Sequence, residues 1–275
     1  MTFSLEVLTL LAGAFAGGMG ALLGIGGGVL LVPFLNKGLG LSFLEATGIS
    51  VVTIIATSSA ASASKGRLQM VNLRLGMVLE VFTTTGGVFG LWWFGRQKDA
   101  SIEHMFAWTL VVIALIMLSR IDKRNVIKEH ENVDVGLLGA RYLEAESGGV
   151  VAYQVKRPAV AFAMSFVAGI VSNFGIGGGI LKVPVLNAWC GVPMRAAAAT
   201  SSLMLAATAL VVAADRFSHG YIVPELAAAA VLGVLLGTQG GLYVQHRSKA
   251  KTHKLIMVAL LLSVAALYFS GIGGR

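Results

Sequence analysis

One lysine, Lys182, stands deep inside an apolar stretch, just after a run of three glycines, Gly177, Gly178 and Gly179. A charge at that depth of a membrane costs at least about 2.5–3.5 kcal/mol, so it marks a ligand pathway unless its side chain snorkels to the interface. The glycines belong to a phrase written twice, GIGGGVLLVP at Gly24 to Pro33 and GIGGGILKVP at Gly175 to Pro184. Three consecutive glycines, at on the order of 1 kcal/mol each relative to alanine, favour unwinding of a helix. The half-helix that follows then presents unpaired N–H groups with a partial positive charge, an arrangement that attracts anions. The candidate anion-binding residues are therefore Gly26, Gly27 and Gly28 of the first copy, and Gly177, Gly178, Gly179 and Lys182 of the second. Ser172 and Asn173, just before the second break, and the repeat-matched hydroxyls Ser50 and Ser201 join them. Glu80, midway along another apolar stretch, is the proton-relay candidate for coupling.

Packing is the competing reading for each. Gly13, Gly17, Gly20, Gly24 and Gly28 form small-xxx-small spacings that let helices approach, and membrane hydroxyls commonly bond their own backbone. Glu80 could serve as a hydrogen-bonded packing group, and Lys182 could snorkel.

Several chemistries are excluded. GIGGG lacks the last glycine of a dinucleotide fingerprint and the lysine of a P-loop, and no strand precedes it, so nucleotide binding is rejected. A single cysteine, Cys190, leaves no disulfide or cysteine cluster, and its expected role is packing. His104, His130, His219, His246 and His253 lie at segment ends or in loops, so no metal and no cofactor are expected. No embedded histidine or aspartate accompanies Ser50 or Ser201 as a base, which argues against an enzyme. The net charge of +8 gathers at segment ends rather than in an aromatic-interleaved patch, so it reports membrane orientation and not nucleic acid.

The elements that must position these residues are membrane helices. Of the 275 residues 56% are hydrophobic and only 12% charged, with a mean hydropathy of +0.81. Eight apolar segments, about 5–35, 45–64, 72–95, 102–119, 158–187, 196–214, 222–245 and 253–271, each suffice for a bilayer core of about 30 Å. They lack the alternation of an outer-membrane barrel, so the predicted fold is an all-α polytopic membrane protein. MTFSLEVLTL has no basic region and carries Glu6, so the first segment is expected to belong to the fold.

The repeat extends well beyond the glycines. At an offset of 151 residues Gly18 falls on Gly169, Asn36 on Asn187, Gly40 on Gly191, Ala46 on Ala197 and Ser50 on Ser201. At an offset of 154 Gly66 meets Gly220 and Thr84 meets Thr238. Two four-segment repeats follow, 1–120 and 158–275, joined by a polar linker over 121–157. The linker reads as a solvated cytoplasmic loop with one short helix around Val133 to Ala145. If the first and fifth segments are hairpins broken at the glycines, 15 lysines and arginines lie on one side and 5 on the other, as the positive-inside rule prefers. The first segment agrees, since its 31 residues would make about 46 Å of helix, too long for one upright crossing. The halves are then inverted, both termini face outward, and two half-helix ends meet near the midplane, where secondary transporters bind substrate.

With GIGGG-x-L-x-VP doubled, and each copy followed by a short loop and an Ala-Thr-Ser-rich helix (EATGISVVT at 45–53, AAAATSSLM at 196–204), the chain resembles the TauE/SafE sulfite-exporter family over essentially its whole length. The resemblance implies a transporter, by expectation an exporter, of small sulfur-containing anions such as sulfite or organosulfonates in the cytoplasmic membrane. Its partners would be the lipid bilayer, the anion, and coupled protons or counter-ions. A passive anion channel is the nearest rival and would need a continuous polar pore; an importer of a related anion is the other.

Overall fold

The computed structural model describes residues 2–23, 27–62, 69–97, 99–118, 135–143, 150–245 and 250–270. Its helices are α1 (Thr2–Leu23), α2 (Gly28–Pro33) running into a π-helical segment (Phe34–Gly38), α3 (Phe43–Ser62), α4 (Leu73–Phe94) and α5 (Asp99–Leu118). After a hairpin of strands β1 (Ala140–Leu143) and β2 (Val150–Tyr153) come α6 (Pro158–Ser172), α7 (Gly179–Ala188), α8 (Met194–Ser218), α9 (Pro224–Gln245) and α10 (Ala250–Phe269). The helical fold agrees with the sequence. Three described helices, Phe43–Ala60, Leu73–Phe94 and Met194–Ser218, are individually long and apolar enough to cross a bilayer.

The linker departs from expectation. Where a short helix was predicted around Val133 to Ala145, residues 140–143 form a strand paired antiparallel with residues 150–153, Tyr142 opposite Val151. The physical reason lies in burial: on β1 Tyr142 is buried between exposed Arg141 and Leu143, in a strand's period of two, and on β2 Ala152 and Tyr153 are both buried. This hairpin is docked on the helices rather than solvated, packing with Leu75, Leu79, Leu186, Cys190 and Val192.

The glycine phrases break both helices. Gly27 (φ −72°, ψ −11°) and Gly178 (φ −67°, ψ −9°) precede α2 and α7 in matching conformations. Gly175 and Gly177 take φ of +70° and +72°, a region that glycine reaches without a Cβ penalty. Leu31 N–H donates to Gly27 O at 3.1 Å, and Lys182 N–H donates to Gly178 O at 3.1 Å. At the far end of each half-helix Asn36 Nδ2 donates to Leu41 O at 2.9 Å and Asn187 Nδ2 to Val192 O at 3.0 Å. Gly40 and Gly191 follow them at φ of +73° and +74°. The written repeat is a repeat of backbone geometry.

In the second copy the chain folds back. Gly178 lies against α6, where a Cβ would come within 2.6 Å of Ala168 O, and twelve residues later Cys190 O accepts from Lys156 N–H at 2.8 Å, beside the start of α6. Residues 178–190 therefore run back along α6. Helix directions agree with this. Phe82 stacks on Phe162, Gly86 abuts Phe166 and Gly90 abuts Ile170, so α4 and α6 run parallel. Asn72 contacts Thr200 and Glu80 contacts Thr208, so α4 and α8 also run parallel. Two successive segments, α6 and α8, point the same way because the chain between them returns.

Glycines set the closest helix contacts. A Cβ on Gly169 would overlap Thr83 O, and one on Gly237 would overlap Ala14 O, so α6 sits on α4 and α1 on α9 at backbone distance. A central aromatic cluster joins α3, α5 and α10, with Phe43, Phe106 and Tyr268 meeting edge-on at 5.0–6.1 Å between ring centroids.

Candidate functional site

The two breaks meet across the halves. Ser50 on α3 donates its hydroxyl to Gly175 O at 2.6 Å, and a Cβ on Gly28 would overlap that same carbonyl and come within 2.7 Å of Ser50 Oγ. In the second half a Cβ on Gly179 would stand 3.1 Å from Ser201 Oγ and 3.0 Å from Leu205 Cδ1. Ser201 Oγ is buried and makes no hydrogen bond among the described residues. Gly177 faces Leu205 and Ile54. Gly26 lies outside the described residues.

The other sequence candidates separate into roles. Gly27 and Gly178 face the backbones of α1 and α6, near Ala16 and Ala168, so their lack of a Cβ meets a packing demand of their own hairpins. Ser172 donates to Gly169 O at 2.6 Å within its own helix. Asn173 ties the end of α6 to α4, with Nδ2 3.2 Å from Gly87 O and 3.1 Å from Ile170 O, while its buried Oδ1 has no partner among the described residues.

Lys182 does not snorkel. Its side chain is 1% exposed, and Nζ, with three protons to donate, makes no hydrogen bond among the described residues. The nearest carboxylate oxygen is Glu80 Oε2 on α4, at 3.8 Å, so the structure brings the lysine and the coupling candidate together from different halves. Oε1 of Glu80 accepts from Thr208 Oγ1 at 2.5 Å and from Thr84 Oγ1 at 3.3 Å. Glu80 also borders a surface groove of about 470 Å³ along α4 with Met77, Val81, Thr84 and Thr85. Thr208 and Thr84 escaped the sequence reading, although Thr208 lies two helical turns beyond Ser201 and Thr84 one turn beyond Glu80, on the same helix faces. In the first repeat Leu31 takes the place of Lys182 and is fully buried among apolar side chains. The charged position is thus unique to one half. Two buried polar groups around α7 are thus left without a hydrogen bond among the described residues, the Lys182 ammonium beside Glu80 and the Ser201 hydroxyl beside Gly179.

The sequence from residue 9 to residue 268 matches the family model described as sulfite exporter TauE/SafE. The chain belongs to the TauE/SafE family. It is also 26% identical over 276 residues to the Probable membrane transporter protein YunE of Bacillus subtilis (strain 168), covering 97% of this chain and 98% of that one. No solved structure matches. TauE/SafE membership and the apolar helices make the chain a multi-pass membrane transporter.

Against this TauE/SafE background the linker hairpin is a further polar contact that the sequence did not disclose. Asn72 accepts Leu75 N–H at 3.0 Å as the cap of α4. Its Nδ2 donates to Leu138 O at 2.8 Å and to the Tyr153 hydroxyl at 3.1 Å. Burial pushes the Tyr153 phenol up, so it stays neutral in this contact. One side chain thus caps a helix and holds the linker against it.

Proposed function

We propose that the chain is a secondary transporter that exports a small sulfur oxyanion, sulfite or an organosulfonate, across the cytoplasmic membrane by alternating access of two inverted halves. The observation that carries this reading is the Lys182 ammonium, 1% exposed and without a hydrogen-bond partner among the described residues. A buried ammonium left unbonded is costly, and an oxyanion beside it would supply acceptors for its protons. Gly28 and Ser50 meet Gly175 at the junction of the two breaks, and Gly179 lies beside Ser201; a helix start leaves its first N–H groups without intrahelical partners, an arrangement that suits an anion. A tetrahedral or pyramidal oxyanion suits donors arriving from several directions. The fold-back of residues 178–190 supports hairpins at the start of each repeat, which with three crossings per half gives inverted repeats and places both termini outside. The family's description as a sulfite exporter supports export.

The experiment is flux in proteoliposomes with sulfite, methanesulfonate, thiosulfate and acetate. Saturable uptake of the sulfur anions that also drives exchange of preloaded anion is expected from wild type and lost in Lys182→Met. Flux that rises linearly with concentration would instead favour a channel, and uptake of acetate alone would reject the sulfur-anion assignment.

A further inference from the structure

Lys182 and Glu80 face each other at 3.8 Å, beyond hydrogen-bond reach, while both threonine hydroxyls donate to Oε1 and leave Oε2 buried and unpartnered. Among the described residues no other ion pair reaches Lys182 or Glu80. Helix α6 carries no charged residue; Arg74 and Arg195 stand at the starts of α4 and α8. Asp215 and Arg216 pair at the far end of α8, and Glu103 on α5 pairs with Lys37 at 2.7 Å.

We propose that Glu80 is a built-in competitor of the transported anion, so that the anion takes its place at Lys182 only when a proton has moved onto Glu80, and one proton is bound with each anion. This rests on the anion site proposed above. With the site empty, the ammonium and the carboxylate sum to zero; with an anion bound and Glu80 protonated, they again sum to zero. An anion arriving beside an ionised Glu80 would leave a net negative charge in a buried site, with two like charges sharing one ammonium, the arrangement that low dielectric penalises most. The proton has a place: it goes onto Oε2, the oxygen no threonine engages, on a side chain that is 17% exposed while that of Lys182 is sealed. The protonated carboxyl keeps its Oε1 bonds to Thr208 and Thr84, so the helices need not part.

The test uses purified full-length protein and methanesulfonate, whose charge is constant from pH 5 to 9, with binding read by calorimetry. Wild-type affinity is expected to fall about tenfold per pH unit once Glu80 loses its proton, the slope of one linked proton. Glu80→Gln should bind with the acid-limit affinity at every pH, and Lys182→Met should not bind. Wild-type affinity independent of pH, or a slope that persists in Glu80→Gln, would overturn the inference while leaving the anion site standing. Absence of binding by wild type to methanesulfonate, sulfite and thiosulfate at every pH would remove the site itself and the inference with it. Should Glu80→Gln fail to fold, proton uptake by weakly buffered wild type decides: about one proton per anion bound supports the competition, and none rejects it.

Discussion

Ser50 Oγ donates to the carbonyl of Gly175 at 2.6 Å, joining residues 125 positions apart and tying the helix after the first break to the turn of the second. The repeat-matched Ser201 has no such partner among the described residues. Equivalent letters therefore carry different duties.

Ser50→Ala should strand a buried carbonyl and destabilise the protein by about 1–3 kcal/mol, lowering the thermal midpoint in detergent. Ser201→Ala should leave the midpoint within about 0.5 kcal/mol of wild type, because no bond is lost, and weaken methanesulfonate binding. Equal loss of stability in the two variants would contradict the assignment.

Two glycines on α9, three residues apart, should respond oppositely to the same methyl. A Cβ on Gly237 would overlap Ala14 O, whereas one on Gly240 meets nothing within 4 Å among the described residues. Gly237→Ala should abolish or sharply reduce membrane abundance; Gly240→Ala should not, and should be neutral or slightly stabilising, as alanine suits helices better by about 1 kcal/mol. Immunoblots of membrane fractions at matched expression read the difference.

Gly178→Ala is expected to act through packing, since its Cβ would press on Ala168 O at 2.6 Å. Gly179→Ala points instead toward Ser201 Oγ at 3.1 Å and should lower anion affinity with a smaller loss of thermal stability. Ligand-induced thermal stabilisation separates them, since a ligand stabilises only as far as it binds the folded state.

Asn72→Asp keeps the oxygen that caps α4 but removes the Nδ2 donor to Leu138 O and Tyr153, whereas Asn72→Ala removes both. Limited proteolysis should show the β1–β2 linker cleaved faster in both variants, by several-fold, with thermal stability reduced by about 1 kcal/mol more in the alanine variant. Unchanged cleavage would mean that apolar packing alone docks the hairpin.

The inverted arrangement proposed here would place the linker inside and the C-terminus outside. A reporter active only in the cytoplasm should be silent after Arg275 and active within 121–157. Activity at Arg275 would reject hairpins in this topology.

Much of the architecture was legible in the letters because its causes are local. Apolar length requires helices, three adjacent glycines break them, and an offset of 151 residues pairs Asn36 with Asn187 and Gly40 with Gly191, whose backbones indeed match. The depth of Lys182 and the position of Glu80 midway along α4 could also be read from flanking apolar residues. What the letters did not contain is which residues meet, because that depends on the rotation and register of helices far apart in sequence. Only tertiary packing set Lys182 opposite Glu80, enlisted Thr208 and Thr84, turned Gly27 and Gly178 toward their own hairpins, and confined Ser172 to its own helix. The linker strands were missed for a related reason. A short polar segment has little intrinsic preference, and Tyr142 and Tyr153 alternate inward only because a helix surface is there to receive them.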